Sequence, residues 1–130
     1  MSLTDINIIP LDRFNYTGLR DLRNQTEIRS WFLDSSFVVE DQQTIWYSEY
    51  ERDPSQFAWV ALNGCKRVIG SVSLYELDGV NQTATFGRLM ASRSPARPRG
   101  LGRYLGAFAI DFAMQLGLSH LKLEVLQDNL

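Results

Sequence analysis

The chain has 130 residues, 45% of them hydrophobic, and a formal net charge of −2 from 13 basic and 15 acidic side chains. That length fits one domain, residues 1–130, with an ordinary core; no apolar run reaches a membrane span, and the charge balance argues against general nucleic-acid binding. A single cysteine, Cys65, allows no internal disulfide, and Met1 to Asp5 lacks the basic and apolar regions of a signal peptide, so a reducing cytoplasm is the expected compartment.

In chain order, Ile6, Ile8 and Leu11 alternate around an interrupting Pro10 and predict a short first strand. Asn15 or Thr17 can cap a helix that runs to Arg23, and residues 25–32 read as a second helical piece with Ile28, Trp31 and Phe32 on one face. Val38 and Val39 form a short extended piece. Asp41 is the expected cap of the next helix, where Ile45, Trp46 and Tyr50 recur at helical spacing before Pro54. Three strands follow, at residues 57–62, 67–77 and 83–90. Their turns are signalled by Asn63-Gly64 and by Asp78-Gly79 with Asn81. A loop from Ser92 to Pro98 leads into a helix with an apolar stripe of Leu101, Leu105, Phe108, Phe112 and Leu116, closed by Gly117. Leu121, Leu123 and Val125 alternate in a last strand. A right-handed crossover makes that strand parallel to the one before the helix. The predicted architecture is α/β (α+β): a mixed, mostly antiparallel sheet with helices on both faces.

Arg97-Pro98-Arg99-Gly100-Leu101-Gly102 sits where a strand hands over to a helix. A glycine-rich turn there leaves backbone N–H groups unpaired at the positive end of the helix dipole, a setting suited to a pyrophosphate. Glycine permits φ > 0 and close approach of backbone to ligand. Neither a P-loop string nor a G-x-G-x-x-G after the first strand occurs, which argues against P-loop ATPase and dinucleotide folds. Arg88, Arg93, Arg97, Arg99 and Arg103 crowd the same region. They read first as phosphate ligands; a solvated basic loop and a nucleic-acid patch are the alternatives. Cys65, in the turn Asn63-Gly64-Cys65-Lys66, reads as an incidental turn residue, since one histidine in the chain leaves little basis for a Cys–His nucleophile.

R-x-x-G-x-G between strand and helix resembles the acyl-CoA motif of the GNAT superfamily of N-acyltransferases. Val68-Ile69-Gly70-Ser71-Val72-Ser73-Leu74 and Ala84-Thr85-Phe86-Gly87-Arg88-Leu89-Met90 are similar to two of its strands, and Leu116-Gly117-Leu118 with residues 121–125 and Asp128-Asn129 is similar to its closing segment. The pieces occur in family order over residues 57–130. The N-terminal half (Leu22-Arg23-Asn24, Arg29-Ser30-Trp31-Phe32, Trp46-Tyr47) resembles the branch of ribosomal-protein N-terminal and amino-sugar nucleotide acetyltransferases.

The resemblance implies transfer of an acetyl group from acetyl-CoA, without a metal, to a primary amine: a protein N-terminus, an amino sugar or a small amine. Leu89, Met90 and Ala91 would pair with the pantetheine arm, the amides of Arg97, Arg99, Gly100, Leu101, Gly102 and Arg103 would face the pyrophosphate, and Asn129 would lie near the pantetheine. Arg29 and Trp31 would touch the acceptor. Three departures stand out. Members usually continue past Leu130 with a helix, often carrying a tyrosine acid, and two strands, so a fragment or truncated variant that is weak or inactive by itself is expected. Pro98 replaces a frequent glycine and removes one N–H donor. Thr85 stands where a glutamate is frequent, leaving Glu76 and Asp78 as the candidate bases and Tyr75 as a candidate donor. The alternative is a non-catalytic domain of the same fold that binds coenzyme A or a protein partner. An exposed last strand would favour a homodimer.

Overall fold

The computed structural model describes residues 5–25, 40–92 and 98–123. The expected second helical piece beyond Gln25, the extended piece at Val38 and Val39, and Val125 lie outside the described residues. Five strands are present: β1 (Asn7–Pro10), β2 (Phe57–Leu62), β3 (Val68–Asp78), β4 (Thr83–Ala91) and β5 (His120–Leu123). Among the described residues there are three helices: α1 (Tyr16–Arg23), α2 (Glu40–Arg52) and α3 (Leu101–Gln115).

The strands form one sheet in the order β1-β2-β3-β4-β5. Neighbours are antiparallel except β4 and β5, which are parallel, with Thr83 opposite His120 and Phe86 opposite Leu123. This is the expected mixed sheet, with α3 making the crossover. Pro10 does not break β1; it is the strand's last residue, opposite Trp59, and a proline is tolerated on an edge strand because its missing N–H interrupts no inner ladder. Glu40 begins α2, so Asp41 lies within the first turn rather than at the cap.

Both sheet faces are covered, and β2 shows why its sequence is apolar throughout. Phe57, Trp59 and Ala61 belong to the α3-side core with Val72, Leu74, Leu101 and Leu105. Ala58, Val60 and Leu62 belong to the opposite core with Leu19, Leu22, Tyr47 and Met90. Period-2 alternation thus feeds two cores, and a strand buried on both sides needs apolar residues at every position. Trp59 meets Phe112 and Phe108 edge-on at centroid distances of 4.8 and 5.3 Å, fastening α3 across the sheet.

The buried line of α3 is Leu101, Leu105, Ala109 and Ala113, with Phe108 and Phe112 half-buried beside it. The expected stripe holds as far as Phe112. Leu116 falls past the helix end and is exposed. The two alanines let the helix lie close to the sheet while the flanking phenylalanines reach around it. Gly117 follows at φ 81, the left-handed residue that ends a helix.

Candidate functional site

Gly100 is the N-cap of α3, at φ 75 and ψ 17, and its carbonyl accepts the first helical bond from the Tyr104 N–H at 2.9 Å. No acidic residue occupies the first turn, and no side chain caps it. Among the described residues no acceptor bonds the amides of Leu101, Gly102 or Arg103. The two glycines therefore differ in role. Gly100 supplies the left-handed turn; at Gly102 an added Cβ would meet open space, so that position leaves the amide approachable. Arg99 and Arg103 are exposed at this turn. Pro98 is buried against the fold. Arg97 lies outside the described residues.

The turn opens beside the end of β4. Gly70, paired with Ala91, has so little room that a Cβ there would come within 2.7 Å of Leu105 Cδ1, 3.0 Å of the Met90 carbonyl and 3.4 Å of Leu101 Cδ2. The first turns of α3 are thereby pressed onto the segment Leu89–Ala91. Pairing of β4 with β5 runs only from Thr83 to Phe86 among the described residues. Met90 is buried, Ala91 half-buried and Leu89 exposed at 42%.

The β3–β4 ladder is irregular twice. Between the pairs Ser71–Met90 and Ser73–Gly87, β4 carries one residue more than β3; between Tyr75–Thr85 and Asp78–Thr83, β3 carries the extra residue. Arg88 and Glu76, each at φ 53, sit in these two bulges. Lys66 and Gln82 are also at positive φ but lie in turns. The Ser71 hydroxyl donates to the Arg88 carbonyl at 3.4 Å, satisfying the bulged backbone.

On the face away from α3, the bulges gather a polar cluster. The Thr85 hydroxyl donates to Glu76 Oε2 at 3.3 Å. A carboxylate from β3 therefore stands beside Thr85 on β4. Glu76 is exposed and Thr85 is buried. Tyr75 is buried, and its hydroxyl end lies over Gly87, where a Cβ would come within 2.5 Å of it. Asp78 is committed to its turn: Oδ1 accepts from the amides of Val80 and Asn81 at 3.0 and 3.1 Å, and Oδ2 from Asn81 Nδ2 at 2.7 Å. Those bonds, led by the Asn81 amide, hold its carboxyl below the ordinary value.

Arg88 departs from the expected arginine cluster. It sits on the face of α2, with its guanidinium 4.1 Å from the Tyr75 ring centroid and 5.9 Å from that of Trp46. The bulge turns it away from the phosphate turn. Nothing in the sequence marked it as separate; a basic residue directly after Gly87 within a strand was the available signal. Arg29, Trp31, Arg93 and Asn129 lie outside the described residues. Among the described residues no group of histidine, cysteine or acidic side chains could hold a metal ion, and no helix is long and apolar enough to cross a membrane.

A sheet bulged at its central strand, followed by a glycine-capped helix that opens beside that strand, defines an acyl-CoA-dependent transferase class. The family model described as acetyltransferase (GNAT) family matches residues 22–130, and the chain belongs to that family; it is an acetyl-CoA-dependent N-acetyltransferase acting on an amine. Similar solved structures include the spermidine N-acetyltransferase of Vibrio cholerae in complex with CoA and spermine, at 22% identity and TM-score 0.83 over 97% of this chain and 74% of that one. Mutant forms of the spermidine/spermine N-acetyltransferase SpeG of the same organism match at 25% identity and TM-score 0.75, over 97% and 73%. A dodecameric structure of the V. cholerae enzyme in an intermediate state matches at 21% and 0.71, over 97% and 72%. No curated protein matches the chain significantly by sequence.

Proposed function

We propose that the chain, acting as one domain over residues 1–130, transfers an acetyl group from acetyl-CoA to a primary amine on a protein N-terminus, an amino sugar or a small amine. The carrying observation is the unneutralised, glycine-capped start of α3 pressed against the end of bulged β4. In this reading the pyrophosphate lies on the amides from Arg97 to Arg103, Arg97 and Arg99 add charge, and the pantetheine runs along Leu89, Met90 and Ala91 with Asn129 nearby. That path delivers the thioester to the Arg88 bulge.

The amine nitrogen attacks the thioester carbonyl carbon; the C–N bond forms, the C–S bond breaks, and coenzyme A leaves as a thiolate that takes up a proton. The amine must shed a proton on the way. Glu76 is the base in this reading, acting directly or through a water, and the Thr85 hydroxyl fixes its orientation. Asp78 is left out because its oxygens already serve the turn. Tyr75 serves as a packing platform. Arg29 and Trp31 would complete the acceptor side. The solved neighbours named for spermidine and spermine make a polyamine one member of the small-amine class, and a homodimer is the simplest assembly to test.

Calorimetry with coenzyme A tests the site. Gly102→Val places its side chain in open space, so the fold persists while the ligand is obstructed, and affinity should fall by roughly tenfold or more, about 1.4 kcal/mol. Arg99→Ala removes charge at an exposed position and should weaken binding less. Equal affinity of wild type and Gly102→Val would refute the assignment. Tight binding of acetyl-CoA without transfer to any amine would support the binding-module reading instead.

A further inference from the structure

The transfer scheme gives Arg88 no task, yet its surroundings are elaborate. Its backbone is held at φ 53 inside a strand, a conformation a non-glycine residue keeps only when its surroundings over-determine it. Tyr75 lies under the guanidinium and Trp46 stands farther off on α2. Nη1 donates to Gln56 Oε1 at 3.1 Å, and Gln56 is tethered in turn through Nε2 to Asp53 Oδ2 at 2.8 Å. These contacts orient the cation without neutralising it. Among the described residues no carboxylate forms an ion pair with Arg88; the one ion pair there joins Arg20 and Asp21.

A guanidinium has five N–H donors in a planar fork. Gln56 takes one, and stacking on a ring engages a face and leaves edge donors available. A half-buried cation with one neutral acceptor is an incomplete pair, and the chemistry that completes it is a carboxylate or a phosphate. The rings that could otherwise cage an ammonium group are already covered by the guanidinium. The guanidinium disfavours a second positive charge against the same rings.

We propose that Arg88 selects the acceptor: it binds an anionic group, carboxylate or phosphate, on the amine substrate and disfavours polycationic amines. The inference rests on the reading of Leu89–Ala91 as the thioester strip, which puts the neighbouring Arg88 where amine and thioester meet.

Matched acceptors test it, with acetyl-CoA and the full chain: a dipeptide against its C-terminal amide, glucosamine 6-phosphate against glucosamine, and spermidine as the polycation. Wild type should favour the anionic member of at least one pair by roughly tenfold or more in kcat/KM, chiefly through KM. The dipeptide pair reports a carboxylate source and the sugar pair a phosphate source. Arg88→Gln should erase the preference, read as the ratio of kcat/KM within each matched pair; Arg88→Lys should keep part of it. Where turnover is too slow to fit, acceptor affinities from NMR titration in the presence of coenzyme A are judged by the same criterion. No charge preference in wild type, a preference that survives Arg88→Gln, or spermidine as the best acceptor overturns the proposal. Loss of coenzyme A binding by wild type would instead sink the transferase site itself, so the two failures are distinguishable.

Discussion

At the scale of single residues, the two left-handed positions inside strands carry the argument. Glu76 and Arg88 are the non-glycine residues at positive φ that lie within strands among the described residues. A non-glycine residue in that region costs about 1–3 kcal/mol and clusters at functional sites. Glu76→Gln keeps the size and backbone demands of the bulge and removes the base. It should lower kcat by about 10²- to 10⁴-fold, the usual worth of a general base, while leaving coenzyme A affinity unchanged. An unaltered kcat in Glu76→Gln would remove Glu76 from the mechanism. The bulges themselves were not legible in the sequence, although Glu76 was already among the candidate bases. A bulge depends on the pairing register of two strands that share no local signal, so nothing in the string Tyr75-Glu76-Leu77 announced that Glu76 would turn toward Thr85.

At the scale of elements, the segment between α2 and β2 holds the polar face in place. Asp53 accepts from the Ser55 amide at 2.8 Å, the Ser55 hydroxyl at 2.6 Å and Gln56 Nε2 at 2.8 Å. The Ser55 hydroxyl is the leading cause of a carboxyl held below its ordinary value, with Gln56 next. A carboxyl depressed by folding stabilises the native state above its unfolded value, and that contribution disappears as pH falls through the lower folded value. Urea unfolding of wild type should therefore lose stability as pH falls below the ordinary carboxylate range, and Asp53→Asn should flatten that slope. An identical slope in the variant would count against the linkage. Strands and long helices were readable because their periodicity is local: the three meander strands fall within a residue or so of the expected limits, and α3 begins at the turn glycines. The ends were less readable. Leu116 continued the heptad-like spacing on paper, but Gly117 stops the helix first.

At the scale of the molecule, the sheet separates two tasks. The α3-side core holds the helix proposed to face coenzyme A, and the opposite core holds the aromatic residues of α1 and α2. Tyr16 stacks on Tyr47 at 4.7 Å and the Tyr50 hydroxyl oxygen accepts from the Ala58 N–H at 3.1 Å, tying that layer to β2. Ligand on one side should thus stabilise the whole through mass action. Coenzyme A at a hundred times its dissociation constant should add about 2.7 kcal/mol to wild-type unfolding, read as a rise in Tm, and Gly102→Val should show little of that rise at the same concentration. A variant stabilised as much as wild type would mean that the ligand sits elsewhere. The family was legible because the turn motif and its flanking strands come in a fixed order; the acceptor was not, because no comparable string of neighbouring residues signals it.

The two bulges also act together. Outside them the β3–β4 pairing keeps one phase: Gly70 opposite Ala91 and Ser71 opposite Met90 at one end agree with Asp78 opposite Thr83 at the other. Between them the phase is displaced by a single residue, because β4 gains its extra residue at one border and β3 at the other. They behave as dislocations of opposite sign in a lattice, whose distortions cancel at a distance. The stretch holding Ser73, Leu74, Tyr75, Thr85, Phe86 and Gly87 is consequently a bounded window, one residue out of phase with the ladder on either side. Moving both borders together would lengthen or shorten that window while the β3–β4 pairing beyond it stays in step.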